Sequence, residues 1–410
     1  MEAGPVTIPA RRATLAEQLS LRYIDPWLLA ASLGLIAFSV LALTSAGRNE
    51  VAGQPDDFAS RQAAYAVVGI ALMVAVWRLD YTRLRDLRVS LYTTAIGLVL
   101  LALLFGATVR GADRWIELPF FSFQPSELAK LLLCLSVAGF AFELVRKRSR
   151  LGDTAVLLGL GLVPAGLVLL QPDLGTALVL IVGTLAVLFV AGVPWQHFAA
   201  IAAAAAVIGG AILTLGPAVG IDGIHDYQED RLTAFLNPSE DPSGTSYQVR
   251  QSMIAVGSGE STGRGDESTQ TELLFLPERH TDFIFAAIGE RFGFAGAAMM
   301  TTLFALLLWR ALRVMRLAHS FYGTLTAAGI LAMLAFQLLV NVGMNVGIMP
   351  VTGIPLPLIS YGGSSVLGSF LALGILQGIH VQAERRARRP SAYTPLPALP
   401  TSAGPSRSPR

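Results

Sequence analysis

Residues 153–193 read DTAVLLGLGLVPAGLVLLQPDLGTALVLIVGTLAVLFVAGV. The charges in this stretch are Asp153 and Asp173, so two long uncharged runs flank Gln171-Pro172-Asp173. About 20 apolar residues carry a helix across a bilayer. Proline suits a first helical position and an acid suits a first turn. The stretch therefore reads as one membrane helix ending near residue 170 and another beginning near 174.

The same pattern extends in both directions. Apolar runs at about 26–46, 62–77, 89–106, 125–145, 196–216, 282–309, 322–348 and 363–382 join 153–170 and 174–193. Only 14% of residues are charged and 53% are hydrophobic; soluble chains carry about a quarter charged residues. The fold class is an all-α polytopic membrane protein with about ten transmembrane helices. The first run is a full span, longer than the apolar region of a cleaved signal peptide. The lone Cys134 permits no intrachain disulfide and reads as packing.

Basic residues set the expected orientation. Inner segments would hold Arg11, Arg12, Arg22, Arg78, Arg83, Arg85, Arg88, Arg146, Lys147, Arg148, Arg150, Arg310, Arg313, Arg316 and a C-terminal set beginning at Arg385. The short outer loops hold Arg48, Arg61, Arg110 and Arg114. This bias places both termini in the cytoplasm. The expected organisation is a cytoplasmic segment at 1–24, a membrane domain at 25–382 and a disordered, basic and Pro-rich cytoplasmic tail at 383–410. Residues 217–281, between the seventh and eighth helices, form a large extracytoplasmic loop, and loops of that length are commonly functional.

Charges within spans are costly and mark function. Glu127 and Lys130 share a helix face at the start of the fourth span, as a neutralising pair or a polar cavity wall. Asp282 stands where the loop becomes the eighth span; it or Thr281 could simply cap that helix. Glu290 and Arg291 follow, pointing to different sides. Pro350, Pro355 and Pro357 forbid a regular helix before Ser360-Tyr361-Gly362-Gly363-Ser364-Ser365.

Every even-numbered span would begin outside. Four of those starts are marked: Gln124-Pro125-Ser126-Glu127, Gln171-Pro172-Asp173, Thr281-Asp282 and Ser360 to Ser365. Helix N-termini offer free N–H groups and partial positive charge that favour phosphate. The expectation is that they converge on an outward cavity for an anionic lipid head group; the alternative is four independent caps. Walker and Rossmann glycine motifs are absent, and the basic residues track topology rather than nucleic acid.

These residues resemble the SEDS family, the shape, elongation, division and sporulation proteins. The resemblance runs from about Asp25 to His380. It rests on Arg114-Trp115-Ile116, Gln124 to Lys130, Gln171 to Thr176, Leu276 to Phe285 and Pro357 to Ser365. The runs Gly347 to Pro357 and Pro277 to Asp282 resemble the elongation branch, typified by RodA, more than the division branch, typified by FtsW. One departure is the loop run Gly257 to Glu267, where Glu260, Asp266 and Glu267 add acids.

The resemblance implies a peptidoglycan glycosyltransferase that polymerises lipid II outside the cytoplasmic membrane, during cell elongation and shape maintenance. It implies a class B penicillin-binding protein as transpeptidase partner, with other elongation-complex membrane proteins. The family's essential aspartate corresponds to Asp282 and its intramembrane pair to Glu127 and Lys130. Further cavity or substrate residues expected are Arg114, Trp115, Gln171, Asp173, Arg231, Tyr247, Gln248, Gln251, Ser252, Glu278, Ser360 and Tyr361. Arg279 is a further candidate for leaving-group charge. A divalent cation, Mg or Mn, is a candidate aid; no other cofactor is expected. Arg231 could instead anchor the loop, and Tyr247 to Ser252 could instead serve the loop's own packing. Two rivals remain: a lipid II flippase, suited by Glu127, Lys130, Glu290 and Arg291, and a noncatalytic scaffold for a transpeptidase.

Overall fold

A computed structural model describes residues 21–46, 58–109, 112–117, 122–145, 151–215, 244–272 and 275–388. Within them, helices form at all ten expected positions: α1 (Pro26–Ala46), α2 (Phe58–Trp77), α4 (Arg88–Phe105), α5 (Pro125–Val145), α6 (Leu151–Leu169), α7 (Leu174–Val190), α8 (Trp195–Leu215), α11 (Ile284–Leu317), α12 (Phe321–Asn345) and α13 (Gly363–Ala387). The short α3 (Thr82–Asp86) leads into α4. Seven of the ten are at least 18 residues long and apolar enough to cross a membrane. Without water in the hydrocarbon, a spanning segment must satisfy its backbone internally, which selects helices. The protein is a multi-pass membrane protein.

The bundle is threaded out of sequence order. α13 lies along α2, α4 along α5, and α7 and α11 both along α12. Cys134 is buried, its Sγ 3.7 Å from the Thr326 carbonyl on α12. The charge-bearing α13 runs on to Ala387, past the expected boundary at 382, because Glu384 to Ala387 continue its hydrogen-bonded turns.

Two features depart from an all-helical reading. Between α4 and α5 lie three short antiparallel strands, β1 (Ala107–Val109), β2 (Ala112–Glu117) and β3 (Ser122–Phe123), in order β1-β2-β3. Trp115 faces Ala107 and Glu117 faces Ser122 in the register. The second departure is in the eighth span. α11 has 34 residues but breaks at Gly293 (φ 63°, ψ −160°), a conformation that favours glycine. Ile284 to Phe292 thus form a separate leading segment, and the long span begins at Phe294, not at Asp282.

The large loop fills that break. Its described part holds α9 (Thr245–Ser258) and α10 (Thr269–Glu272), with α9 packed on α11 and α12. Breaking a helix orphans amides, which must find other partners. Phe294 N donates to Glu260 O (2.9 Å) and Ala295 N to Ser261 O (3.1 Å). Glu290, 0% exposed, accepts from Gln270 N (2.8 Å), Thr271 N (2.9 Å) and Thr271 Oγ1 (2.5 Å). Arg291 pairs with Asp266. Two of the three additional loop acids thus have defined places: the Glu260 carbonyl serves the break and the Asp266 carboxylate meets Arg291.

Candidate functional site

The helix starts are joined by short polar links. Asp173 caps α7, accepting from Thr176 N (3.0 Å) and Thr176 Oγ1 (2.8 Å). Gln124, just before α5, reaches Asp173 Oδ2 with its side-chain amide (3.3 Å). Its backbone N–H donates to Ser364 Oγ at the start of α13 (2.8 Å). Ser360 Oγ donates to the Thr281 carbonyl (2.6 Å) and accepts from Leu356 N (2.8 Å). Tyr361 N donates to His280 O (2.8 Å). Gly175 lets the proline-rich segment close over α7, because a Cβ there would lie 2.7 Å from Thr352 O.

These links surround a cavity of ≈ 330 Å³. Gln124 before α5, Thr176 of α7, Thr281 and Asp282 before α11, and Gly362, Gly363 and Ser365 at α13 all line it. The four helix starts therefore meet at one place. Tyr65 of α2, Trp115 and Glu117 of β2, Ser122, Gly353, Pro355 and Tyr361 complete the wall. Phe58 stacks on His280 (4.3 Å) and meets Tyr361 edge-on (4.8 Å), bracing one side.

Asp282 is partly exposed at this wall. Its backbone is fixed from below by two amides one turn apart on α12. Asn341 Nδ2 donates to Asp282 O at 3.0 Å and Asn345 Nδ2 at 3.1 Å. Asn345 Oδ1 in turn accepts from Ala286 N (3.0 Å). The N-cap of α11 is Phe283, with no capping side chain, so neither Thr281 nor Asp282 occupies the expected cap position.

The other expected residues divide. Trp115 and Tyr361 line the cavity, and Ser360 and Asp173 support it from behind. Gln171 turns away and donates to Val99 O (2.6 Å). Glu127 and Lys130 pair at 2.8 Å and are both buried. They line a separate space of ≈ 30 Å³, with Gln337, Gly368 and Ser369 among its walls. Ser252 donates to Asn345 O (2.9 Å), serving the support of Asp282 rather than a ligand. Tyr247, Gln248 and Gln251 of α9 are half-buried and outside the lining. Glu278 accepts from Thr281 Oγ1 (2.7 Å), and Arg279 is buried; neither lines the cavity. The Arg114 side chain and Arg231 lie outside the described residues.

Among the described residues, no lysine or arginine lines the cavity, and the helix starts present their partial positive charge to it. Its described carboxylates are Asp282 and Glu117. No group of three or more His, Cys, Asp or Glu among the described residues could hold a metal alone. Mg²⁺ is commonly held by one or two carboxylates together with substrate phosphates, so Glu117 and Asp282 are the described lining residues that would hold it.

The profile of the FtsW/RodA/SpoVE cell cycle proteins matches residues 23–385. The chain belongs to this family. Among the curated members of the FtsW/RodA/SpoVE family, the peptidoglycan glycosyltransferase MrdB of Escherichia coli K12 is 37% identical over 362 residues, covering 87% of this chain and 94% of that protein. Stage V sporulation protein E of Bacillus subtilis is 36% identical over 326 residues, covering 78% and 86%. A chain from a structure of a peptidoglycan synthase complex, described in terms of the structural coordination of polymerization and crosslinking, aligns with TM-score 0.74 and 31% identity, covering 88% of this chain and 98% of that one. The crystal structure of the rod shape determining protein RodA of Thermus thermophilus aligns with TM-score 0.64 and 31% identity, covering 87% and 96%.

Asn341 and Asn345 were not among the sequence candidates. Their signal was visible: with Gln337 they are three amides at four-residue spacing in a largely apolar span. Gln62 carried a similar signal. It is buried and donates to Ser39 Oγ (3.0 Å) and Ser360 O (3.2 Å).

Proposed function

We propose that this chain is a peptidoglycan glycosyltransferase of the elongation type, polymerising lipid II at the outer face of the cytoplasmic membrane. The observation that carries the reading is Asp282 at the wall of a cavity where four helix N-termini meet. The names of its relatives and the outward bias of the short, arginine-poor loops support the same reading.

The 4-hydroxyl of an acceptor GlcNAc attacks C1 of a lipid-linked MurNAc. As the new C–O bond forms, the bond from C1 to the diphosphate breaks and undecaprenyl diphosphate leaves. Direct displacement inverts the α-linked donor to a β link. A sugar hydroxyl is a weak nucleophile at neutral pH. Asp282 takes its proton, a role typically worth 10²–10⁴-fold in rate. Charge developing on the diphosphate is met by backbone N–H groups at the starts of α7 and α13. A class B penicillin-binding protein is the partner that crosslinks the product.

The transporter reading leaned on buried charge. Glu290 and Arg291 are engaged by the loop, through Thr271 and Asp266, which leaves them fastening structure rather than forming a polar path. The test is lipid II polymerisation by purified protein with its transpeptidase partner. Asp282→Asn should lose at least about 10²-fold in rate while its thermal unfolding stays unchanged. Wild-type polymerisation by that variant would remove the general base, and lipid II translocation without polymer would favour the flippase.

A further inference from the structure

Another cavity, of ≈ 580 Å³, opens at the far end of the bundle. From Gly363 at the first cavity to Glu384 at the second, α13 rises about 32 Å at 1.5 Å per residue, close to the bilayer core of about 30 Å. Arg22, Arg310, Arg313, His380, Glu384 and Arg388 line it. Two of the arginines are neutralised. Arg310 is locked to Asp25, 0% exposed, at 2.6 Å, and Arg388 meets Glu384 at 3.4 Å. Arg22 and Arg313 are exposed and leave the cavity net positive. His380 is 7% exposed, and its buried Nδ1 has no hydrogen-bond partner among the described residues. Buried polar groups are normally hydrogen-bonded, and His380, which lines the cavity, has this one open. The rim carries the marks of a membrane–water interface: Trp27, after Pro26, and Trp309, before Arg310, are both exposed.

We propose that this cavity binds the phosphate of an anionic phospholipid head group, in the leaflet opposite the first cavity. Arg22 and Arg313 donate charge-assisted hydrogen bonds to the phosphate oxygens. His380 donates through Nδ1–H in the matching tautomer. A zwitterionic lipid carries the same phosphate, but its ammonium would meet the same arginines, so the site favours a head group without one.

The test reconstitutes the full chain in nanodiscs of mixed phosphatidylglycerol and phosphatidylcholine and counts co-purifying lipid by native mass spectrometry. Phosphatidylglycerol should be enriched on the wild type. Arg22→Ala and Arg313→Ala, both surface changes, should each lower that enrichment about fivefold. Arg316→Ala removes an exposed cation of α11 outside the cavity and should leave enrichment unchanged. No preference for phosphatidylglycerol, or an equal loss in Arg316→Ala, would overturn the proposal. So would binding of inorganic pyrophosphate in pure phosphatidylcholine discs without lipid preference, which would assign the cavity to a soluble phosphate.

Discussion

Asn345 holds Asp282 by its backbone: the side-chain amide of one donates to the main-chain carbonyl of the other over 3.1 Å. Asn341 repeats the contact one turn earlier, at 3.0 Å. The carboxylate is thus placed by fixing the chain beneath it.

Replacing Asn345 should therefore injure activity without touching the reacting groups. Asn345→Ala removes one donor to Asp282 and orphans Ala286 N, at a cost of about 1–3 kcal/mol. Asn345→Asp keeps the shape but sets an acceptor against the carbonyl. We expect polymerisation to fall further in Asn345→Asp than in Asn345→Ala, with lipid II affinity near wild type in both. Thermal unfolding and polymer yield measured side by side check this; a wild-type rate in Asn345→Asp would show that the clamp is dispensable.

The Glu127–Lys130 pair separates structure from chemistry. Glu127→Ala leaves the Lys130 ammonium buried without its partner, which costs about 3–5 kcal/mol. Removing both charges with the apolar pair Glu127→Leu and Lys130→Met should restore most of that stability. Full polymerase activity in the double variant would make the pair structural only. Stability regained with activity still absent would give it a part in the reaction.

Gly293→Ala tests the broken helix. A side chain at φ 63° is strained, and its Cβ would lie 2.3 Å from Gly263 N and 2.7 Å from Gly259 O. The cost is on the order of 1–3 kcal/mol, borne by the docked loop. Limited proteolysis should cut the 244–281 region faster in this variant while the transmembrane core stays intact. Unchanged cleavage would mean that the loop is held elsewhere.

The helices at the expected positions were legible because long apolar runs mark them, and seven of them have the length and apolarity of a membrane span. The starts of α5 and α7 were legible because Pro with an acid marks a helix beginning, and those of α11 and α13 because Thr281-Asp282 and the Ser360 to Ser365 run end a polar or proline-broken stretch before an apolar one. Asp282 lines the cavity, and the alternative that it or Thr281 caps the helix does not hold, since Phe283 is the N-cap. Three features escaped. Residues 107–123 form a short connection between two apolar runs, and no strand was read there, so the strands carrying Trp115 and Glu117 were missed. Gly293 sits within an apolar run, where a break changes no hydropathy. Glu290 and Arg291 were visible as buried charge, but a sequence does not name their partners, and those lie in the loop.

The break at Gly293 also orders assembly in time. Phe294 and Ala295 bond to Glu260 and Ser261, each 34 residues earlier, so these partners already exist when the span leaves the ribosome. Asp282 must wait 59 and 63 residues for Asn341 and Asn345. Contacts close in sequence form sooner than distant ones. The nascent chain latches its outer loop first and steadies its proposed base later, so a truncated product ending before α12 would be anchored but inert.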